Sequence, residues 1–193
     1  LSAHYEKRMK RLCRDPWLAR NDYIDVVVDR KKHLPAFLKK HLTSAKPTDV
    51  SCFLELLEMQ RFCLLMFTSC GWFFDEISQL ESVLLLKYAA MAIQLGEKTG
   101  ASPVEPGFLD ILKKAPSNIA AYADGANVYL SLVKPEVVTT SQVAANYAIQ
   151  SLARSALRVF RIYDYAIVPK REEDLGANPV RCLFGHVSVR NDR

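Results

Sequence analysis

Apolar residues recur three and four positions apart through most of this chain, and that period predicts helices. Tyr5, Met9, Leu12 and Cys13 sit among basic residues and predict an amphipathic helix over residues 2–14. Asp15-Pro16 ends it, because Pro16 lacks a donor and disfavours helix at Asp15. Proline also opens the next helix, to about Arg30, with Trp17, Leu18, Tyr23, Ile24, Val27 and Val28 as its apolar set. A short third helix is predicted over 34–44, with Leu34, Phe37, Leu38 and Leu42 inward. Thr48 or Asp49 is placed to cap a fourth, which runs to Thr68 with Val50, Phe53, Leu54, Leu57, Leu64 and Phe67 inward. Cys63 to Phe67 is apolar all round, which predicts burial of the last two turns.

A fifth helix is predicted from about Ile77 to Lys98, with Ile77, Leu80, Leu84, Tyr88, Met91 and Leu95 in register. Small residues at 89, 90 and 92 would let a neighbour pack closely. Between the fourth and fifth helices lies the corner Thr68 to Glu76, where Gly71 allows the backbone a positive φ that other residues resist. A loop over 100–107 leads to a short helix at Phe108–Lys114. Asp124-Gly125 starts another, bearing Val128, Tyr129, Leu132 and Val133, and Thr139 or Thr140 caps the last, Ser141 to Phe160. After Val168-Pro169 the character changes: residues 170–178 are charged, and Val180-Cys182-Phe184 alternates as a strand does. The pattern predicts an all-α, multi-helix bundle of about seven or eight helices with a short β segment at the C-terminus. Its helical domain covers 1–168, and 169–193 form a linker and the start of a truncated β region.

With 193 residues, half of them hydrophobic, the chain is long enough for a sizeable core. It begins with Leu1 and shows no leader pattern, so it reads as a piece of a longer protein. The net charge of +5 is uneven: residues 1–46 hold twelve Lys/Arg against five Asp/Glu. A basic face of this kind suits an anionic partner, yet no nucleic-acid-binding signature accompanies it, and no nucleic acid is expected. The longest apolar runs, Phe62 to Phe67 and Val83 to Leu86, fall far short of the ~18–20 residues that a membrane span needs, so no membrane is expected. Five scattered cysteines without a C-x-x-C pattern read as reduced thiols of a cytoplasmic protein.

No metalloprotease, phosphate-loop, dinucleotide or serine-hydrolase motif occurs, and His4, His33, His41 and His186 are scattered. No catalytic residue, metal or cofactor is expected. The corner Trp72-Phe73-Phe74-Asp75-Glu76 remains. Aromatic faces stack on the apolar faces of sugars, and carboxylates accept from sugar hydroxyls. Adjacent carboxylates point apart, so Asp75 and Glu76 do not form a glycosidase acid/base pair. The same residues also fit a packing joint, with the rings as core plugs and Asp75 or Glu76 capping the next helix.

The segments Glu58-Met59-Gln60-Arg61, Leu65 to Ser78, Tyr88 to Leu95, Ala115-Pro116-Ser117-Asn118, Asp124-Gly125-Ala126 and Asp15-Pro16-Trp17 together resemble an uncharacterised domain family. That family is found C-terminal to the catalytic barrel of glycoside hydrolase family 57 proteins, and the resemblance covers most of residues 1–165. It implies the non-catalytic helical part of a family-57-like hydrolase or α-glucan transferase. The catalytic glutamate and aspartate would stand on an upstream barrel of the same chain. The helical part would form part of the cleft for an α-glucan or oligosaccharide. By the resemblance, Trp72 is the sugar-stacking residue. Many members carry Ser-Asp-Trp there, where this chain has Cys70-Gly71-Trp72, so Asp75 or Glu76 substitutes for the missing acid. Phe73 and Phe74 would anchor the corner. A different reading from the residues alone is a helical protein–protein interaction module with a basic docking face.

Overall fold

The computed structural model describes residues 1–44, 46–153, 160–162, 165–176 and 182–191, without the side chains of Trp72, Ala153, Phe160 and Asn191. The fold is mostly helical and ends in a three-stranded antiparallel sheet. Contact divides the chain into two compact units, Leu1–Val137 and Val138–Arg193. Composition changes at residue 168, but the division falls earlier, because the last helix shares a core with the sheet.

The first unit opens with α1 (Ser2–Met9), α2 (Pro16–Val28), α3 (Arg30–His41) and α4 (Pro47–Leu65). Helix α1 is shorter than predicted. Past Met9 the backbone turns, and the Leu12 carbonyl accepts from Thr43 N at 2.9 Å and from Thr43 Oγ1 at 2.8 Å. The start of α2 is local chemistry: Asp15 Oδ1 accepts from the amides of Trp17 and Leu18, and Pro16 takes the first position. Helix α3 begins at Arg30, four residues before the predicted start, because the Asp29 side chain caps Lys32 N. Tyr5, Met9, Tyr23, Phe37, Phe53, Leu56, Leu57 and Met59 make one buried core from these four helices.

Helix α5 (Leu80–Lys98) packs on α4, with Phe62 and Tyr88 rings 5.9 Å apart. Its buried face is Ser82, Val83, Leu86, Ala89, Ala90, Ala92, Ile93 and Gly96, not the predicted stripe of larger residues. The small residues let the neighbouring helix approach, and Leu80 and Leu84 are left exposed. Likewise Leu64 and Phe67 at the end of α4 are exposed, against the predicted burial. Then come α6 (Glu105–Leu112) and α7 (Gly125–Val128), which continues as a π turn over Tyr129–Val133. Val83, Leu86, Ala90, Val128, Tyr129 and Val133 form the second core of this unit.

In the second unit, α8 spans Thr140–Ala153, and the strands are β1 (Phe160–Ile162), β2 (Tyr165–Asp174) and β3 (Leu183–Asn191), in the order β1-β2-β3. The predicted helix to Phe160 is therefore too long: Phe160 pairs with Ile167 in the sheet. The segment expected as a charged linker is largely strand, since Arg171 to Asp174 pair with His186 to Leu183; Glu172 accepts from the Tyr147 hydroxyl of α8, and Arg171 and Asp174 are exposed. Pro169, which has no ladder donor, sits at a register shift. The predicted strand residue Val180 lies outside the described residues, and Cys182 precedes β3. Val143 and Tyr147 of α8 pack on Ile167. Among the described residues no helix is long and apolar enough to cross a membrane.

Candidate functional site

The corner is built from local chemistry at the end of α4. Thr68 Oγ1 donates to the Leu65 carbonyl at 2.9 Å, which satisfies one of the orphan acceptors of the last turn. A 3-10 turn over Ser69–Trp72 follows. Gly71 is not at positive φ; among the described glycines only Gly100 is. Its role is close approach: a Cβ there would lie 2.1 Å from Leu85 Cδ1 and 3.0 Å from Cγ. The corner backbone therefore lies against α5, and Ser82 Oγ donates to the Gly71 carbonyl at 3.5 Å.

The Glu76 carboxylate, expected to face sugar or to cap the next helix, is turned into the protein. Glu76 is 6 % exposed. Its Oε1 accepts from Ser117 Oγ at 2.7 Å and from Ser78 N at 2.9 Å, and its Oε2 accepts from Asn118 N at 2.5 Å. The Ser117 hydroxyl, followed by the Ser78 and Asn118 groups, holds the Glu76 pKa down to about 2, so the group is ionised at any physiological pH. Asp75 is exposed, and its backbone carbonyl accepts Asn118 Nδ2 at 2.9 Å. No side chain caps α5 at Gln79.

The loop that supplies these donors is closed on itself. Gly125 N donates to the Ala115 carbonyl at 2.9 Å, and Ser117 N to the Ala123 carbonyl at 3.0 Å. Ala123 takes the left-handed conformation at φ 65° to make the return. Asp124 then caps Asn127 N and starts α7. Gly125 lies against the corner too, since a Cβ there would come within 2.8 Å of Ile77 Cδ1. Ser117 Oγ also accepts from Ile119 N at 3.1 Å, so its own proton is directed at Glu76. Ser117 and Asn118 do not stand out as site residues in the pattern; the signal available is a polar pair after proline in a segment that carries the family resemblance.

With Glu76 turned inward, the rings turn outward. Phe73 is 82 % exposed and Phe74 45 %, in an edge-to-face pair with centroids 5.0 Å apart. This corrects the expectation that they anchor the corner. They line a shallow recess of about 500 Å³ with Ser69, Cys70 and the half-buried Glu81 of α5. Leu64, Phe67 and Leu80 are exposed in the same part of the chain. Trp72 closes the 3-10 turn between Gly71 and Phe73; its side chain lies outside what is described. The corner thus offers rings, a carboxylate and a hydroxyl on a backbone fixed from behind, the elements of a sugar-stacking or docking surface. Among the described residues no group of three or more His, Cys, Asp or Glu side chains converges as metal ligands do.

No curated protein and no solved structure matches the chain. The model of a family described as a domain of unknown function (DUF3536) matches residues 1–193, and on that full-length match the chain belongs to this family.

Proposed function

We propose that the chain is the non-catalytic helical part of a family-57-like glycoside hydrolase or α-glucan transferase, and that its corner forms part of the sugar cleft. The catalytic carboxylates stand on an upstream barrel of the same protein. The observation that carries this reading is the exposed Phe73–Phe74 pair beside Glu81, on a corner that Glu76 tethers to the Ser117-Asn118 loop. Rings held at a fixed angle lose little freedom on stacking, which is what a weak, multi-site glucan contact requires. Trp72 and Asp75 belong to the same contact, Trp72 on the strength of the resemblance and Asp75 because it is exposed next to the rings. Glu76 acts through the backbone it holds. The scattered, odd-numbered cysteines support a reducing compartment, the cytoplasm.

The test is a titration of the intact protein, barrel included, with maltooligosaccharide while tryptophan fluorescence is followed. A saturable change that Trp72→Ala removes and Phe73→Ala weakens supports the reading; no response in the intact protein removes it. The second reading, a docking module, is supported by α2, whose Ile24 and Val28 are exposed next to the basic α3. Co-purification of a stable partner that Val28→Glu abolishes would favour it.

A further inference from the structure

A second recess, of about 440 Å³, opens where α1, the first turns of α4 and the end of α5 meet. Arg8 lines it from α1, Thr48, Ser51 and Glu55 from α4, and Lys98 and Thr99 from the end of α5. The charges are not balanced. Lys98 Nζ is paired with Glu55 Oε1 at 2.7 Å, so these two cancel. Arg8 forms no salt bridge among the described residues. Its Nη2 reaches only the Cys52 thiol at 3.8 Å, and its Nε is buried without a partner. A guanidinium held by packing, with no carboxylate to take its fork, is a vacant oxyanion donor.

The hydroxyls around it divide in two. Thr99 is committed: its proton goes to the carbonyls of Leu95 at 2.9 Å and Gly96 at 3.0 Å, so its oxygen accepts His4 Nε2–H at 3.1 Å. Burial, then the charge of Arg8, lowers the His4 pKa, against the opposing pull of the Thr99 contact. The Thr48 and Ser51 hydroxyls have no hydrogen-bond partner among the described residues, and both residues are exposed on the first turns of α4. No side chain caps α4 at Lys46, but the Asp49 carboxylate, which accepts from Ser44 Oγ, already offsets the positive end of the helix, so Arg8 is the charge on which the recess relies.

We propose that this recess binds a tetrahedral oxyanion of the phosphate class, free or as the phosphate group of a sugar ester, through Arg8, Thr48 and Ser51. This proposal does not depend on the reading of the corner. The test is thermal unfolding of the full chain in sodium phosphate, glucose 6-phosphate, or glucose with sodium chloride, all at equal ionic strength. Ligand that binds only the folded state raises the melting temperature. A rise in phosphate alone assigns the free ion, and a larger rise in glucose 6-phosphate assigns the ester; both support the proposal. No rise beyond the chloride arm overturns it. Arg8→Gln is expected to remove the response, and Arg8→Lys, which keeps charge but loses the fork, to weaken binding about tenfold. A response that survives Arg8→Gln overturns the proposal. Should Arg8→Gln not fold, the double variant Thr48→Val with Ser51→Ala, at exposed positions, tests the same site: lost affinity supports it and unchanged affinity overturns it.

Discussion

The Glu76 carboxylate and the Ser117 hydroxyl stand 2.7 Å apart across 41 positions of sequence. Together with the Asn118 amide beside it, that bond ties the corner after α4 to the loop before α7. Everything exposed on the corner is oriented from this buried tether.

The tether has a pH signature. Hydrogen bonds from Ser117, then Ser78 and Asn118, lower the Glu76 pKa from an ordinary 4.5 to about 2 in the folded chain. Because the folded value is the lower one, the unfolded chain binds the proton first as pH falls. The contribution of the carboxylate is therefore complete above about 4.5 and disappears as pH falls through about 2. Glu76→Gln is expected to lower the melting temperature by several degrees near neutral pH. The gap from the native chain should close as the solution is acidified towards the folded pKa. Melting curves over this range check it, and a gap independent of pH would refute the carboxylate as the source.

Gly71 tests the packing behind the corner. Ala at this position places a methyl 2.1 Å from Leu85 Cδ1, with Cγ at 3.0 Å. The Leu85 side chain can swing, so the cost falls in the lower part of the overpacking range, about 1–2 kcal/mol. Leu85→Ala in the same chain makes the room, and the double variant should lose less than the two single losses added. Urea denaturation of the four chains measures the coupling; strict additivity would show that the two side chains do not compete for space.

Phe73 separates binding from folding. At 82 % exposure its ring contributes little to the core, so Phe73→Ala should leave stability within about 0.5 kcal/mol. Glucan affinity of the intact protein should weaken about tenfold, or ~1.4 kcal/mol. Calorimetric titration with maltooligosaccharide, set beside urea curves, reads both. Glu76→Gln makes the contrast, since it should reduce stability first and affinity only through the loosened corner. Equal losses of stability and affinity for Phe73→Ala would mean that the ring is structural.

What could be read from the chain beforehand follows the range of the interactions. The start of α2 was legible because Asp15, Pro16 and the two amides that Asp15 receives lie within four residues. The place of the corner was legible for the same reason. Its orientation was not. Whether Glu76 turns in and Phe73 out depends on Ser117 and Asn118, which no local period connects to it. Gly71 was legible as special, but its reason is Leu85 on the next helix rather than its own φ. Strand β2 was hidden because Lys170-Arg171-Glu172-Glu173-Asp174 faces solvent along most of its length, so its charges mask a ladder that backbone pairing alone defines.

The start of α8 offers two threonines in succession, and the structure selects one. Thr139 Oγ1 accepts from Gln142 N at 3.2 Å, while Gln142 Oε1 accepts from Thr139 N at 2.8 Å. This reciprocal pair satisfies two orphan donors, as a threonine cap with glutamine three residues on does generally. Thr140 is exposed and already helical. Thr139→Ala should therefore cost about 1 kcal/mol, and Thr140→Ala nearly nothing. The core that α8 forms with Ile167 is small, so the loss should show directly as faster exchange of α8 amides, about fivefold. Hydrogen exchange of both variants distinguishes the positions: equal acceleration by the two substitutions would mean that helix propensity, and not the cap, sets where α8 begins.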